Sequence, residues 1–436
     1  MNANGSQRAD VFVDDGHIKG VGTAPGADRT IDATGLLVLP GVVDLHTHLA
    51  STPTFKPLDD FERGTRAALA GGVTTVLSMV YQEDGSLRRG VERALRDADR
   101  SLTDFAFHIV VTDPGASAIA ELSSLVRDGH AGVKVFMVTK TFTERHDDYL
   151  KLYAAAGHEG MLVAVHAEDH AIVARATAAL HAAGQTGVEH FPASRPVEAE
   201  VVAIRQAADD ARRAKVAMYL VHLSSRAAID ELRRAPWLYG ETRPLYLYLT
   251  REQFAHEDAA LWVGQPPLRE RDDVDAIWGA LADGTLHTVG TDHIPWTRAQ
   301  KLAPGLTFDK IPPGVANLET LLPMLYSEGV RKGRLTVERM VDVLSATPAR
   351  IAALAHKGAV AVGKDADLVL FDPSLTRTIR ASEMHSACDY DPYEGWEVTG
   401  WPRMVILRGE VAFDGEIRAR PGAGRFLKRG ATNFAI

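Results

Sequence analysis

Short apolar segments recur along the chain, and their spacing predicts an alternation of strands and helices. Between about residues 42 and 293, runs rich in Val, Ile and Leu alternate with longer segments of helical character. These runs are apolar at nearly every position, as expected of parallel strands that are covered on both faces. The eight strand candidates begin at Val42, Val73, Phe105, Gly132, Met161, Val216, Tyr239 and Thr288.

The number of strands and the chain length predict an α/β fold with a (β/α)8 TIM barrel. The alternative is an open doubly wound sheet, but no glycine-rich phosphate turn follows an early strand. Both ends of the chain have a different pattern, with short β runs separated by turns. Asp10–Val13 is followed by Asp15-Gly16, which is a hairpin signal, and β runs reappear after Ala352.

We therefore predict that a small β-sandwich domain forms from both chain ends. The predicted domain limits are residues 1–40 and 357–436 for the β-sandwich and 41–356 for the barrel. The stretch from Pro244 to about Ala276 is too long and irregular for a simple connection, and such loops are usually functional. We expect it to form part of a substrate pocket between the last two strands. We expect the basic tail from Gly424 onward to be peripheral.

The composition excludes several classes of function. The 436 residues include 48 Lys and Arg against 57 Asp and Glu, so the formal net charge is -9, which argues against a nucleic acid or an acidic membrane as the partner. A single cysteine, Cys388, excludes an intrachain disulfide and fits a reducing compartment. The N-terminus has no apolar signal-peptide core, and no apolar run is long enough to span a membrane. We therefore expect a cytoplasmic protein.

Residues that can bind a metal ion lie at the ends of several predicted strands. They are His46, His48, Lys134, His166, His222 and Asp292. In a barrel, the C-terminal ends of the strands converge on one face, where active sites form. Each residue alone has an ordinary explanation, such as a core histidine or a helix cap, but their joint occurrence predicts a metal centre.

Lys134 is the most informative of these residues, because an unpaired lysine within an apolar strand is costly to bury. Reaction of its amine with CO₂ would give a carbamate, which is an anion with two oxygens. This modification would remove the buried cation and provide a ligand able to bridge two metal ions.

The chain resembles the amidohydrolase superfamily and, within it, the cyclic-amide hydrolases, namely hydantoinases, dihydropyrimidinases and allantoinases. The motifs that carry the resemblance are Asp44–His48, Asp59–Thr75, Gly132–Met137, Val165–Glu168, Leu220–Ser224, Pro266–Arg269, Gly290–His293 and Gly363–Val369. The resemblance extends over nearly the whole chain. Many relatives have a leading strand before the counterpart of Ala9, so we expect either that the small domain has one strand fewer or that the N-terminus is truncated.

The resemblance implies two divalent metal ions, usually zinc, with manganese as the alternative. It implies that one metal is held by His46, His48 and Asp292, the other by His166 and His222, and that both are bridged by carbamylated Lys134. Asp292 would act as a general base and then as a general acid during attack of a hydroxide on the ring amide. The resemblance also implies a homo-oligomer, either a dimer or a tetramer.

Several positions depart from the family pattern. Thr139 stands where hydantoinases and dihydropyrimidinases usually have a tyrosine, and Gln265 stands where they usually have a serine. Pro313 replaces the asparagine of a Pro-Asn-Gly turn that here ends at Gly314. Ala50 replaces the arginine with which dihydroorotases bind a carboxylate, which disfavours dihydroorotate. We expect Thr139, Gln265, Pro313 and Gly314 to contact the substrate.

We predict a binuclear metal-dependent hydrolase that opens the amide bond of a small cyclic amide or ureide, as a hydantoinase or dihydropyrimidinase does. An allantoinase or a cyclic-imide hydrolase is the alternative within the family, and a dihydroorotase is less favoured. The alternative of another class is a non-catalytic scaffold relative, which the complete ligand set argues against. Deamination is disfavoured because deaminases of the superfamily usually lack the bridging lysine.

Overall fold

The structure, a computed structural model, describes residues 1–23 and 26–432 and starts with antiparallel β structure. Strands β1 (Asp10–Asp14) and β2 (His17–Gly22) form a hairpin, and β3 (Leu37–Pro40) follows. The turn residues Asp15 and Gly16 have φ angles of 47° and 74°, the left-handed conformation that tight hairpins require. The predicted hairpin is therefore present.

Eight parallel strands then form a barrel in which the spatial order of the strands follows their order in the chain. They are β4 (Val42–Thr47), β5 (Val73–Tyr81), β6 (Asp104–Val110), β7 (Gly132–Phe136), β8 (Leu162–His166), β9 (Ala217–Leu220), β10 (Tyr239–Thr242) and β11 (Thr288–Val289). Every residue of β4 is buried, as predicted for a strand covered on both faces. The predicted (β/α)8 barrel is confirmed.

Helices cover the barrel and connect its strands. They are α1 (Phe61–Ala70), α2 (Leu87–Ala98), α3 (Ala116–Arg127), α4 (Lys140–Glu144), α5 (His146–His158), α6 (His170–Ala182), α7 (Phe191–Ser194), α8 (Val197–Ala214), α9 (Arg226–Arg234), α10 (Pro244–Tyr248), α11 (Arg271–Asp283), α12 (Arg298–Lys301), α13 (Leu321–Met324), α14 (Val337–Val341) and α15 (Thr347–Ile351). Asp60 caps α1 by accepting a hydrogen bond from the backbone N–H of Arg63. None of the helices in the described part of the chain has the length and apolar character needed to cross a bilayer.

The first and last strands of the barrel meet at a seam formed by Asp44 and Thr291. The buried carboxylate of Asp44 accepts hydrogen bonds from the backbone N–H of Thr291 at 3.1 Å and from its hydroxyl at 2.5 Å. Burial raises the pKa of Asp44 to about 6. Just beyond the strands, the backbone N–H of His48 donates to the carbonyl of His293 at 3.0 Å. The seam therefore places the C-terminal ends of β4 and β11 side by side.

The later part of the chain completes a separate antiparallel sheet. Strands β12 (Leu368–Thr378), β13 (Glu397–Leu407) and β14 (Glu410–Phe413) pair with β3 in the order β14-β13-β12-β3. A small apolar cluster that includes Ile18 and Ile406 joins the β1–β2 hairpin to this sheet. Both chain ends thus contribute to the antiparallel structure, as predicted. The precise domain limits stay a prediction.

Residues 424–432 of the C-terminal tail are not peripheral, so our expectation for this part is wrong, and residues 433–436 lie outside the described residues. The backbone N–H of Phe105, near the start of β6, donates to the carbonyl of Arg425 at 2.9 Å. Arg429 is only 4% exposed, and its guanidinium donates to the carbonyls of Phe107 at 3.1 Å and Ala352 at 3.0 Å. Burial lowers the pKa of Arg429 to about 9. The basic composition was misleading because this cation is buried against backbone carbonyls rather than exposed to water.

A buried cluster of charges joins the barrel to the antiparallel sheet. The Nζ of Lys357 lies 2.6 Å from the carboxylate of Asp104 on β6, 2.6 Å from that of Asp367 and 2.8 Å from that of Asp365. Arg408 also pairs with Asp104. Burial opposes a charged Lys357, but the carboxylates outweigh it and raise the pKa of the ammonium. The three carboxylates could together hold a cation, and Lys357 supplies one.

Replacing Lys357 with methionine should leave buried carboxylates of Asp104 and Asp367 without their shared ammonium. We expect the free energy of unfolding to fall by about 3–5 kcal/mol, the usual cost of removing one partner from a buried ion pair. As a control, Lys332→Met removes an exposed lysine that pairs with Glu328. This variant should change the free energy of unfolding by less than about 1 kcal/mol. Urea denaturation measures both variants, and equal effects would contradict the importance of the cluster.

Candidate metal centre

Three predicted ligands meet at the seam between the first and last strands of the barrel. The Oδ1 atom of Asp292 lies 3.2 Å from Nε2 of His46 and 3.1 Å from Nε2 of His48. One ligand atom from each residue falls within 4.8 Å of the others, which is compact enough for a single cation. Strand β4 ends at Thr47, so His48 lies just beyond the strand rather than within it.

Two further predicted ligands, His166 and His222, lie beside this group. His166 is the last residue of β8, and His222 follows β9 by two residues. Their ring centroids are 4.6 Å apart, and the His222 ring is 5.5 Å from that of His46. Burial lowers the pKa of both His166 and His222, which favours the neutral imidazole that binds metals.

Lys134 is fully buried on β7, and its Nζ has no hydrogen-bond partner among residues 1–23 and 26–432. The ring of Phe136 lies 5.0 Å away. Burial lowers the pKa of Lys134 to about 7. Its charge in turn contributes to lowering the pKa values of His48, His166 and His222. An unmodified lysine is therefore poorly accommodated here, as its position in the sequence predicted.

Two buried glutamates that the sequence analysis did not assign to the site orient the histidines. Glu241 on β10 lies 2.8 Å from Nδ1 of His46, and Glu168 lies 2.6 Å from Nε2 of His166. Hydrogen bonding at one ring nitrogen leaves the other nitrogen free to face a metal. Burial raises the pKa of Glu168, but Arg195 and His166 outweigh it and bring the pKa to about 2.

The separation of each glutamate from its histidine along the chain explains why the sequence could have revealed one of them but not the other. Glu168 is two residues from His166, so its proximity was visible in the motif. Glu241 and His46 are separated by 195 positions and meet only through the folding of the barrel.

His222 and Asp292 have strained backbones, with φ angles of 46° and 50°. A residue other than glycine in this left-handed region costs about 1–3 kcal/mol, and such residues cluster at functional sites. The backbone N–H of His222 donates to Oε1 of Glu241 at 3.1 Å, which helps to hold the turn. Both residues come just after strand ends, at the end of the barrel where the candidate ligands gather.

Asp292 has a second partner, Arg243, which the sequence analysis did not identify. Arg243 follows β10 directly, is 1% exposed and pairs with Oδ2 of Asp292. Burial raises the pKa of Asp292, but His46, His48 and Arg243 outweigh it and hold the pKa well below its usual range. Asp292 is therefore ionised at neutral pH. The sequence offered one signal for Arg243, namely that it is a charged residue directly at the end of a buried strand.

Of the predicted substrate positions, Thr139 has a hydroxyl that is engaged locally. The hydroxyl donates to the carbonyl of Phe136 at 3.0 Å and accepts a hydrogen bond from the backbone N–H of Phe142 at 3.2 Å. Thr139 thereby caps helix α4 and is exposed to solvent.

The other predicted substrate positions, Gln265, Pro313 and Gly314, lie on two loops that are tied together. The backbone N–H of Gly314 donates to the carbonyl of Val263 at 2.9 Å. The buried ammonium of Lys301 donates to the carbonyls of Val263 at 2.9 Å and Gly314 at 2.7 Å. Gly314 has a φ angle of 119°, and a Cβ atom there would lie 2.2 Å from the side chain of Ile294. The structure thus brings these three positions together but leaves Thr139 on another loop.

The candidate ligands suit divalent cations such as zinc, which bind imidazole nitrogens and carboxylate oxygens. Within the described ranges, two buried nitrogen atoms without a hydrogen-bond partner, Nζ of Lys134 and Nδ1 of His222, belong to this group. An unpaired buried polar atom is costly unless a ligand or a modification satisfies it. The residues present therefore fit a metal centre.

Known proteins are similar to this chain over nearly its whole length. Residues 37–412 match the model of the amidohydrolase family. A D-hydantoinase from Ralstonia pickettii is 37% identical over 444 aligned residues, which cover 98% of this chain and 97% of that protein. A D-phenylhydantoinase from Escherichia coli strain SE11 is 34% identical, with 98% and 96% covered. The crystal structure of a dihydropyrimidinase from Brevibacillus agri superposes with a TM-score of 0.95 at 35% identity and covers 100% of this chain and 97% of that one.

Proposed function

This chain belongs to the amidohydrolase family, and we propose that it is a metal-dependent hydrolase of the amide bond in a small cyclic amide or ureide. The observation that carries the proposal is the grouping of four histidines, three of them buried and His48 half-buried, with Asp292 and the buried Lys134 at one end of the barrel. The similarity to proteins named D-hydantoinase and dihydropyrimidinase supports a hydantoin or a dihydropyrimidine as the class of substrate.

We propose that two divalent metal ions bind to this group. The first would be held by His46, His48 and Asp292, the second by His166 and His222, and both by a CO₂-derived carbamate on Lys134. The many imidazole nitrogens favour zinc, with manganese as the alternative. When bound, such ions lower the pKa of a water molecule towards neutrality and act as Lewis acids.

Asp292 is the proposed catalytic residue because its carboxylate is ionised and close to both His46 and His48. It would accept the proton released as water attacks the ring carbonyl, and then deliver that proton to the ring nitrogen as the C–N bond breaks. The product would be an open N-carbamoyl acid or a related ureido acid. His46 would be oriented throughout by its hydrogen bond to Glu241.

We propose that the substrate lies against the loops of Gln265, Pro313 and Gly314, with Thr139 at the edge of the pocket. Thr139, Gln265 and Pro313 differ from the family pattern, so the ring substrate would be an unusual one. We also propose that the enzyme is cytoplasmic and works as a homo-oligomer, either a dimer or a tetramer.

A substrate screen tests the proposed function directly. Protein loaded with zinc or manganese in bicarbonate buffer should hydrolyse at least one compound among hydantoins, dihydropyrimidines, allantoin and cyclic imides. Chromatography of the ring-opened acid measures turnover, and metal analysis of the same sample measures occupancy. Stoichiometric metal without turnover of any ring would contradict cyclic-amide hydrolysis. Protein that takes up no stoichiometric metal would support the scaffold alternative.

Asp292→Asn should bind much of the metal but lose turnover, because an amide cannot accept the proton of the attacking water. We expect kcat for the substrate found in the screen to fall by about 10²–10⁴-fold. Asp283→Asn, which changes an exposed carboxylate paired with Arg233, should leave kcat unchanged. Near-normal activity of Asp292→Asn would remove Asp292 from the mechanism.

Lys134→Met should abolish carbamate formation and most metal binding, because the variant lacks the amine that reacts with CO₂. Methionine is chosen because it keeps nearly the same side-chain length. The measurement is the carbamate carbon signal in NMR spectra of protein equilibrated with ¹³C-bicarbonate, together with metal content. Lys301→Met is the matched control, because Lys301 is equally buried but its ammonium is already bonded to three carbonyls. A signal lost in the Lys301 variant, or retained in the Lys134 variant, would contradict the proposal.

A further inference from the structure

Arg243 occupies a buried position that the proposed chemistry does not by itself require. Its Nη1 pairs with Oδ2 of Asp292, and the ring of Tyr246 lies 4.8 Å from the guanidinium carbon. In the part of the chain that the structure describes, its Nε and Nη2 have no hydrogen-bond partner. Burying a guanidinium that is only partly satisfied is costly, so this arrangement calls for a compensating role.

The two oxygens of Asp292 have different partners. Oδ1 lies between Nε2 of His46 at 3.2 Å and Nε2 of His48 at 3.1 Å, whereas Oδ2 is bonded to Arg243. Rotation of a free carboxylate about its last torsion angle is weakly restricted, so the two oxygens could readily exchange places. The ion pair with Arg243 removes this freedom because exchange would break it.

Arg243 is itself held in place by the loop that carries Gln265. A Cβ atom at Gly264 would lie 2.0 Å from Nη2 of Arg243 and 3.0 Å from its Cζ, so the guanidinium lies directly against the backbone there. The hydroxyl of Tyr246 donates to the carbonyl of Pro266 at 2.5 Å, which fixes the aromatic ring beneath the guanidinium. Arg243 therefore lies between Asp292 and a predicted substrate loop.

We propose that Arg243 is a positioning residue for Asp292. Its guanidinium holds Oδ2 so that Oδ1 stays directed towards His46 and His48. The kinetic consequences of this inference rest on the proposed function, whereas the ion pair itself does not. Loss of Arg243 leaves the carboxylate free to rotate, which affects the proton transfers during turnover more than it affects binding of the ring.

The kinetic test compares three variants, and one control described below, on the substrate found in the screen. Arg243→Met should lower kcat by about 100-fold, the scale of loss that a small misplacement of a catalytic group causes, with KM nearly unchanged. Arg243→Lys should recover part of this loss, because it restores one cationic donor. Gly264→Ala should lower kcat in the same direction although the arginine is present, because the added methyl displaces the guanidinium.

Arg429→Met is the matched control for loss of a buried guanidinium. Arg429 donates to the carbonyls of Phe107 on β6 and of Ala352 just after α15, so its loss should lower the stability but leave kcat and KM unchanged. A normal kcat in Arg243→Met would overturn the proposal. A raised KM with an unchanged kcat would also overturn it, because Arg243 would then be a substrate contact.

A second measurement on metal-free protein separates this inference from the proposed function. Urea midpoints of Arg243→Met, Asp292→Asn and the double variant should be non-additive, because both changes break the same ion pair. The parallel cycle of Arg243→Met with Asp283→Asn should be additive. If the wild-type protein hydrolyses none of the rings, the proposed function fails, and the cycle still tests the ion pair on which the inference depends. Additive effects of the Arg243 and Asp292 changes would overturn it.

Discussion

Closure of the barrel at the seam between its first and last strands is the constraint on which the candidate site depends. Asp44 is bonded to both the backbone and the hydroxyl of Thr291, and the backbone of His48 is bonded to that of His293. These contacts join segments almost 250 residues apart. Because Asp292 lies between Thr291 and His293, the same contacts bring it to His46 on the first strand and to His48 just beyond that strand.

The site that forms at this seam consists of groups that would each be costly to bury alone. Lys134 lacks a hydrogen-bond partner within the described residues, and Asp292 retains its charge because histidines and Arg243 surround it. The left-handed backbone at Asp292 adds to the cost. A group of buried charged side chains is stable only when opposite charges offset one another or when a ligand binds to them. This supports the assignment of these residues as the functional centre.

The buried cations at the other end of the barrel, where the strands start, have different surroundings from the charged groups of the candidate site. There, Lys357 is surrounded by carboxylates, and Arg429 is bonded to backbone carbonyls of the barrel. Lys357 is paired with carboxylates, whereas Nη2 of Arg429 has no hydrogen-bond partner among the described residues. The cations at the start of the strands join the barrel to the antiparallel sheet and the C-terminal segment, whereas the candidate ligands gather at the opposite end. This is expected where function and stability are served by opposite faces of the same strands.

The sequence by itself determined the strand–helix alternation, the antiparallel structure from both chain ends and the residues from His46 to Asp292 that gather at one barrel end. Each of these follows from local pattern, because strand periodicity and chain order together direct side chains to one end. The sequence did not reveal the roles of Glu241 and Arg243, nor the burial of Arg429. Only the tertiary structure decided these, because the burial and pairing of a charged side chain depend on groups that are distant in sequence, and composition records the charge but not its partner.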